Sequence, residues 1–217
     1  MKNMKLEWKR GDWAAYFGLM TNNLTNLLTM MGLLIFVVGI PKEIVYGRIA
    51  PAFGLAVLTG IVFLILDQLT KYWVVKEIPF ASRLTVIPGF FNLTYVTNTG
   101  AAWGILSGHY WLLLGISAAV FFSAVWFLSA LTESWPERYF AIFLVMSGIL
   151  GNRIDRIFRS AVVDFLLFYI GKYVWPSFNV ADSCICVGVF IYILSSLIRP
   201  DRKRKDRDSV IYVQPGK

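Results

Sequence analysis

Long apolar runs separated by short polar stretches set the pattern of this chain, at residues 24–40, 49–75, 110–131, 139–158 and 180–198. A bilayer crossing needs roughly 17 to 25 mostly apolar residues, so each run is a candidate membrane helix and the first is the shortest. Between residues 76 and 108 the pattern changes. RLTVI and FNLTYVT alternate apolar and polar positions, and Pro79 and Pro88-Gly89 mark turns, which predicts short strands or a hairpin outside the membrane core. The expected fold is therefore an all-α integral membrane bundle of four core helices, plus one extra N-terminal hydrophobic segment and a small extracytoplasmic β element. The expected domains are an N-terminal extension at 1–50, a membrane-embedded domain at 51–198 and a basic cytoplasmic tail at 199–217. The first run lacks an A-x-A-like exit and is followed by PKEIVYGR, so it does not read as a cleaved signal peptide.

Composition supports the membrane reading, with 57% hydrophobic and 16% charged residues. The net charge of +8 does not point to nucleic acid, because Lys and Arg cluster at 2–10 and 199–207, beside hydrophobic runs, in a positive-inside pattern. The tail RPDRKRKDR is suited to anionic headgroups, so membrane lipids are expected partners. With the tail cytoplasmic, residues 171–178 and 76–108 fall outside and 132–138 inside. Five spans would place the basic N-terminus outside, so the run at 24–40 is either re-entrant or interfacial, or its flanking charges are overruled downstream. Cys184 and Cys186, two apart on a helix, point in different directions and do not readily bridge. With those two Cys and one His, a zinc site or a Cys/His nucleophile has little support, and no metal or organic cofactor is implied.

The chemistry sits on carboxylates in apolar surroundings, Asp164 in AVVDFLLF and Asp182 in FNVADSCI. An ionisable group inside a membrane segment is by default a functional-site hypothesis. Asp182 has an ordinary explanation, since acids favour the first turn of a helix and Asn179, three residues earlier, suits its N-cap. For Asp164 the ordinary explanation is weaker, because VVDFLLF offers neither a local cation nor a capping position. Two close carboxylates cannot both ionise, so such a pair shares a proton, one member taking a proton from water while the other donates to a carbonyl. A loop at 171–178 lets the two helix ends that carry them approach each other. In GILGNRIDRIFRS, Gly148, Asn152, Asp155, Arg156 and Arg159 recur at helical spacing and form a polar stripe that must face the bundle interior or a wet cleft. An Asp155–Arg159 pair snorkelling at the helix end is the plainer alternative. Asp67 and Lys71 stand four apart with the acid first, the favourable order for a structural ion pair. His109, Trp103, Tyr110, Trp111, Tyr72 and Trp73 read as interfacial side chains.

LDQLTK, NLTYVTNTGAAW, GNRIDR, VVDF and FNVADS, in this order and spacing, resemble lipoprotein signal peptidase, or signal peptidase II, over about residues 55–198. The resemblance implies a four-span aspartic peptidase of the bacterial inner membrane with its site towards the extracytoplasmic face. Such an enzyme cuts the signal peptide from prolipoproteins just before a diacylglyceryl-modified cysteine. It makes Asp164 and Asp182 the catalytic pair, and places Asn98, Gly100, Asn152, Arg156 and Asn179 at positions that line or support the site. Asp67, Lys71 and Asp155 match positions of structural support or lipid contact, and 76–108 matches a cradle over the substrate. Lipid-modified prolipoproteins are then the partners, nucleic acid is not, and a monomer is expected. Ser147 stands where the family has the first Gly of a pair, Trp103 where Phe is usual, and Thr97 where a larger residue is common.

Residues 11–57, with G-D…F-G-L…N-L-T-x-L, instead resemble the opening of a xanthine/uracil-type nucleobase permease, without its later substrate-binding spans. Two rival readings follow from the same residues. One is a transporter with Asp164, Asp182 and Asp155 as a proton relay; the other is a membrane scaffold without catalysis.

Overall fold

The computed structural model describes residues 50–199. The run at 24–40, the permease-like residues before 50 and the basic tail after Arg199 therefore lie outside the described residues. Five helices alternate with a four-stranded antiparallel sheet, in the order α1 (Ala50–Glu77), β1 (Arg83–Ile87), β2 (Phe91–Asn98), α2 (Tyr110–Trp126), α3 (Leu128–Thr132), α4 (Pro136–Arg159), β3 (Val162–Ile170), β4 (Tyr173–Val174) and α5 (Val180–Ile198).

At 1.5 Å per residue α1 spans about 42 Å and α5 about 28 Å, against a hydrocarbon core of about 30 Å. Both are long and apolar enough to cross a membrane, over Pro51–Glu77 and Val180–Ile198, and most of each apolar window faces outward. Leu55, Leu58 and Leu69 on α1 and Phe190, Ile193 and Leu197 on α5 are exposed, an outward face suited to lipid rather than water. The apolar run at 110–131 is not one helix: α2 ends at Trp126 and α3 restarts at Leu128, with Phe127 at φ −95° and ψ 14° between them.

α4 is the hub, packing against α5 and α1. Pro136 begins it, where a missing N–H does no harm, and Ser160 ends it in the left-handed region at φ 62°. A Cβ on Gly148 would collide with the Ala181 carbonyl and come within 2.6 Å of Ile185 Cγ1, so the absence of a side chain sets the α4–α5 approach. Its neighbour Ser147 is buried and turns its hydroxyl back to Leu144 O at 2.8 Å, so it fits the close contact expected of a small residue. At the far end of the same helix pair, Arg138 bonds Glu133 at 2.9 Å and Ser195 at 3.1 Å, and Arg199 bonds Glu137 at 2.9 Å.

The sheet corrects one expectation. RLTVI and FNLTYVT form β1 and β2 as the alternation predicts, but VVDFLLFYI is a strand as well, not the end of a membrane helix. β3 lies between β2 and β4, and its residues from Val162 to Phe165 are all buried, which is why its sequence reads as a continuous apolar run instead of alternating. Val163 and Phe165 pack on Val74 and Ile78 at the end of α1, fastening the sheet to the helices. The register opposes Asp164 to Val96 and Asn98 to Val162, so the end of β2 is delivered to the same place as Asp164.

Candidate active site

Asp164 comes from β3 and Asp182 from the first turn of α5, and Asn179 joins them. Asn179 is the N-cap of α5: its side-chain oxygen accepts from the Asp182 N–H at 2.9 Å, while Asp182 Oδ2 accepts from the Asn179 N–H at 3.2 Å. This reciprocal capping box locks Asp182 to the helix start. The Asn179 amide nitrogen donates to Asp164 Oδ1 at 2.7 Å and to Val163 O at 3.2 Å. Asn179 is fully buried, and both of its amide N–H groups and its side-chain oxygen are engaged, so it ties the strand that carries Asp164 to the helix start that carries Asp182. Asp182 thus closes the helix cap, as its position alone suggests, and is joined to Asp164 through Asn179.

α4 contributes the other side. Asn152 Nδ2 donates to Asp182 Oδ1 at 2.7 Å, and Arg156 Nη2 donates to Gly100 O at 2.9 Å. Gly100 sits in a tight turn in which Asn98 Oδ1 accepts its N–H at 2.9 Å; a Cβ there would meet Ile105 O at 2.7 Å. The Asn98 amide also hydrogen-bonds the Asp164 carboxyl. The Nε of Arg156 is buried without a hydrogen-bond partner among the described residues.

Beneath the pair lies a buried charge cluster. Lys71 Nζ is 2.8 Å from Asp67 Oδ2, 3.0 Å from Asp155 Oδ2 and 3.1 Å from Asn152 Oδ1. Asp155 also pairs with Arg159 at 3.3 Å, so two carboxylates face two cations. The Asp67–Lys71 pair exists as its spacing predicts, but it is buried and does not touch headgroups; Asp155 too is buried, not snorkelling. Gln68, which no motif singled out, donates to Asp67 Oδ2 at 3.0 Å and to Gly151 O at 3.2 Å. Arg153, also unnoticed in the sequence, reaches Leu114 O on α2 at 2.7 Å. Both lie within the motifs LDQLTK and GNRIDR, but a single amide or arginine carries no spacing signal of its own.

The Asp164 carboxyl is held far from its ordinary titration. Burial first, and the charge of Asp182 second, push the Asp164 carboxyl from its ordinary 3.8 up to about 7, against the hydrogen bonds from Asn179 and Asn98 and the charge of Lys71. Such a group holds a proton near neutral pH, beside a second carboxylate held by two N–H donors. That arrangement suits paired acid–base chemistry.

The model of the family described as Signal peptidase (SPase) II matches residues 59–198. The chain belongs to this family. The peptidase is 42% identical over 149 residues to the lipoprotein signal peptidase of Symbiobacterium thermophilum, covering 69% of this chain and 97% of that protein. To that of Bacillus subtilis it is 39% identical over 141 residues, covering 65% and 92%. Among solved structures it resembles a bacterial membrane enzyme determined by the in meso method at 2.3 Å resolution, with a TM-score of 0.63, 37% identity, and coverage of 66% of this chain and 88% of that one. A second such structure, at 1.9 Å resolution, gives a TM-score of 0.62 at 36% identity, covering 68% and 95%. The peptidase is accordingly a membrane protein with helices and a small antiparallel sheet. The family match begins at residue 59, beyond the permease-like segment, and these matches lend that segment no support.

Proposed function

We propose that this peptidase is an aspartic endopeptidase whose water-activating pair is Asp164 and Asp182. It removes signal peptides from prolipoproteins, the role supported by its family and by relatives that share 37–44% of their residues with it. The observation that carries the aspartic reading is Asn179, one buried side chain bonded to the Asp164 carboxyl and to the backbone of Asp182.

In this reading Asp182 is the ionised member and takes a proton from water, while Asp164 is protonated and donates to the scissile carbonyl oxygen. Water adds to the carbonyl carbon, and the tetrahedral intermediate collapses as a proton passes to the leaving amide nitrogen. The products are a signal peptide with a free carboxylate and a cysteine with a free amine. Arg156 and the Gly100 turn hold the peptide backbone, Asn98 and Asn152 orient the carboxyls, and Asn179 fixes both. The substrate cysteine carries diacylglycerol, and the site faces outward from the bacterial inner membrane, at the end where the sheet meets the helices. α1, α2 with α3, α4 and α5 are the four crossings of a domain at 51–198, flanked by the extension at 1–50 and the cytoplasmic tail at 199–217; the protein acts as a monomer.

The test is cleavage of a diacylglyceryl-modified prolipoprotein by the purified chain in detergent, beside the unmodified precursor and the Asp164→Asn and Asp182→Asn variants. The expected result is cleavage before the lipidated cysteine, weak cleavage of the unmodified form, and loss of turnover in both folded variants. Near-full turnover by either variant would remove that residue from the pair, and equal cleavage of both precursors would end the lipid-recognition reading.

A further inference from the structure

We propose that Lys71 is a positioning residue for the cleavage reaction, fixing through the Asn152 amide which way the hydrogen bond to Asp182 runs. The inference rests on the aspartic reading above and goes beyond structural support. An ammonium has three donors and no acceptor, and those of Lys71 are met by three oxygens, Asp67 Oδ2 at 2.8 Å, Asp155 Oδ2 at 3.0 Å and Asn152 Oδ1 at 3.1 Å. Only the amide oxygen of Asn152 can face it. The amide nitrogen is thereby turned to Asp182 Oδ1 at 2.7 Å, where it favours a carboxylate that accepts. The reversed amide would set two donors against each other at Lys71 and an oxygen against Asp182, an arrangement that only a protonated Asp182 satisfies.

The same cluster also holds the backbone immediately before each carboxylate. Asp155 Oδ2 accepts from the N–H of Val163, next to Asp164, at 3.1 Å, and Asp67 Oδ1 accepts from the N–H of Ala181, next to Asp182, at 2.8 Å. Lys71 binds both of these acids, so one ammonium on α1 is tied to the strand carrying one member of the pair and to the helix carrying the other. The charged and titratable groups that act on Asp182 are Asp164 on β3, Arg156 on α4 and Cys184 on its own helix, and behind Asn152 stands Lys71 on α1 with Asp67 and Asp155. Of these, Lys71 is the one bonded to the Asn152 side chain that reaches Asp182.

The experiment is a double-mutant cycle of Lys71→Met and Asn152→Ala in the full chain, reading kcat, KM and the acidic limb of the kcat pH profile on a diacylglyceryl-modified precursor. Lys71→Met is expected to lower kcat about 10- to 100-fold, the range seen when an outer partner of an active-site group is lost, and to move the acidic limb, with KM within about threefold. In the Asn152→Ala background the Lys71 change should lower kcat by a factor at least about threefold smaller, the remainder being the part carried through Asp67 and Asp155 to the backbone before each carboxylate. A charge-balanced Asp67→Asn/Lys71→Met variant, which removes one acid with the cation, serves if the single variant does not fold. Equal factors in both backgrounds, an unmoved pH profile, or loss of folding in both Lys71 variants would each overturn the proposal and leave Lys71 a purely structural residue. Failure of the aspartic reading is a separate outcome, seen as retained turnover in Asp164→Asn or Asp182→Asn.

Discussion

Replacing Asp164 by Asn tests the electrostatics of the site directly, because asparagine keeps the oxygen that accepts from Asn179 but has no proton to lose. Burial, and then the charge of Asp182, raise the wild-type carboxyl from 3.8 to about 7 in the folded state. Below 3.8 the group is protonated in both states and the folded form keeps its full advantage. As pH rises towards 7 the unfolded chain ionises while the folded site retains its proton, so stability falls, and above about 7 it levels off. A gap of about three pH units, at about 1.36 kcal/mol each, is worth about 4 kcal/mol. The stability of Asp164→Asn relative to wild type should therefore improve by about 4 kcal/mol between pH 4 and pH 8, while its cleavage falls roughly 100- to 10,000-fold through loss of the acid. Denaturant unfolding in detergent across that pH range, with cleavage assayed alongside, measures both. Stability curves that run parallel for the two proteins would refute the reasoning, since they would mean that Asp164 does not titrate differently on folding.

Asp182→Asn and Asp182→Ala should both lose cleavage, but the alanine variant, which cannot close the capping box, should be less stable than the asparagine variant by about 1 kcal/mol in the same unfolding assay. Arg156→Gln removes a charged donor to Gly100 O, so kcat/KM on a lipidated precursor should fall about 10- to 100-fold, as expected for a bond worth about 1.5 to 3 kcal/mol. Gly148→Ala pushes a methyl into the backbone of α5 and should destabilise the protein by about 1 to 3 kcal/mol, seen as a lower thermal midpoint. A chain truncated to residues 49–217 keeps every matched position and should cleave within about threefold of the full chain, measured on the same precursor.

The sequence shows the helices and the site to different depths. α1 and α5 follow from runs of apolar residues with the right length, and β1 and β2 from clear alternation. The polar stripe on α4 is legible because helical spacing keeps Asn152, Asp155 and Arg156 on one side, and the structure gives each of them a partner there. β3 is not legible as a strand: buried on both faces, it loses the alternation that distinguishes a strand from a helix, and Asp164 therefore reads as a membrane residue. The break at Phe127 is equally hidden, since neither Pro nor Gly marks it. Spacing four apart announces the Asp67–Lys71 pair, but Asp155 joins it from 84 positions further along the chain than Lys71, a contact that only the packing of α4 on α1 creates.

Asp182 caps α5 with one oxygen and meets Asn152 with the other. If Asp182 is catalytic as proposed, selection on this residue cannot distinguish an inactive protein from one in which α5 starts badly. A library sorted only for folded, membrane-inserted protein would still enrich Asp or Asn at position 182, and a survey of natural variation would count that part of the preference as catalysis. Position 164, on a strand where the carboxylate caps nothing, is free of this confusion: stability sorting there should admit asparagine readily, and a preference for Asp that survives only under selection for activity is the one the proposed chemistry calls for.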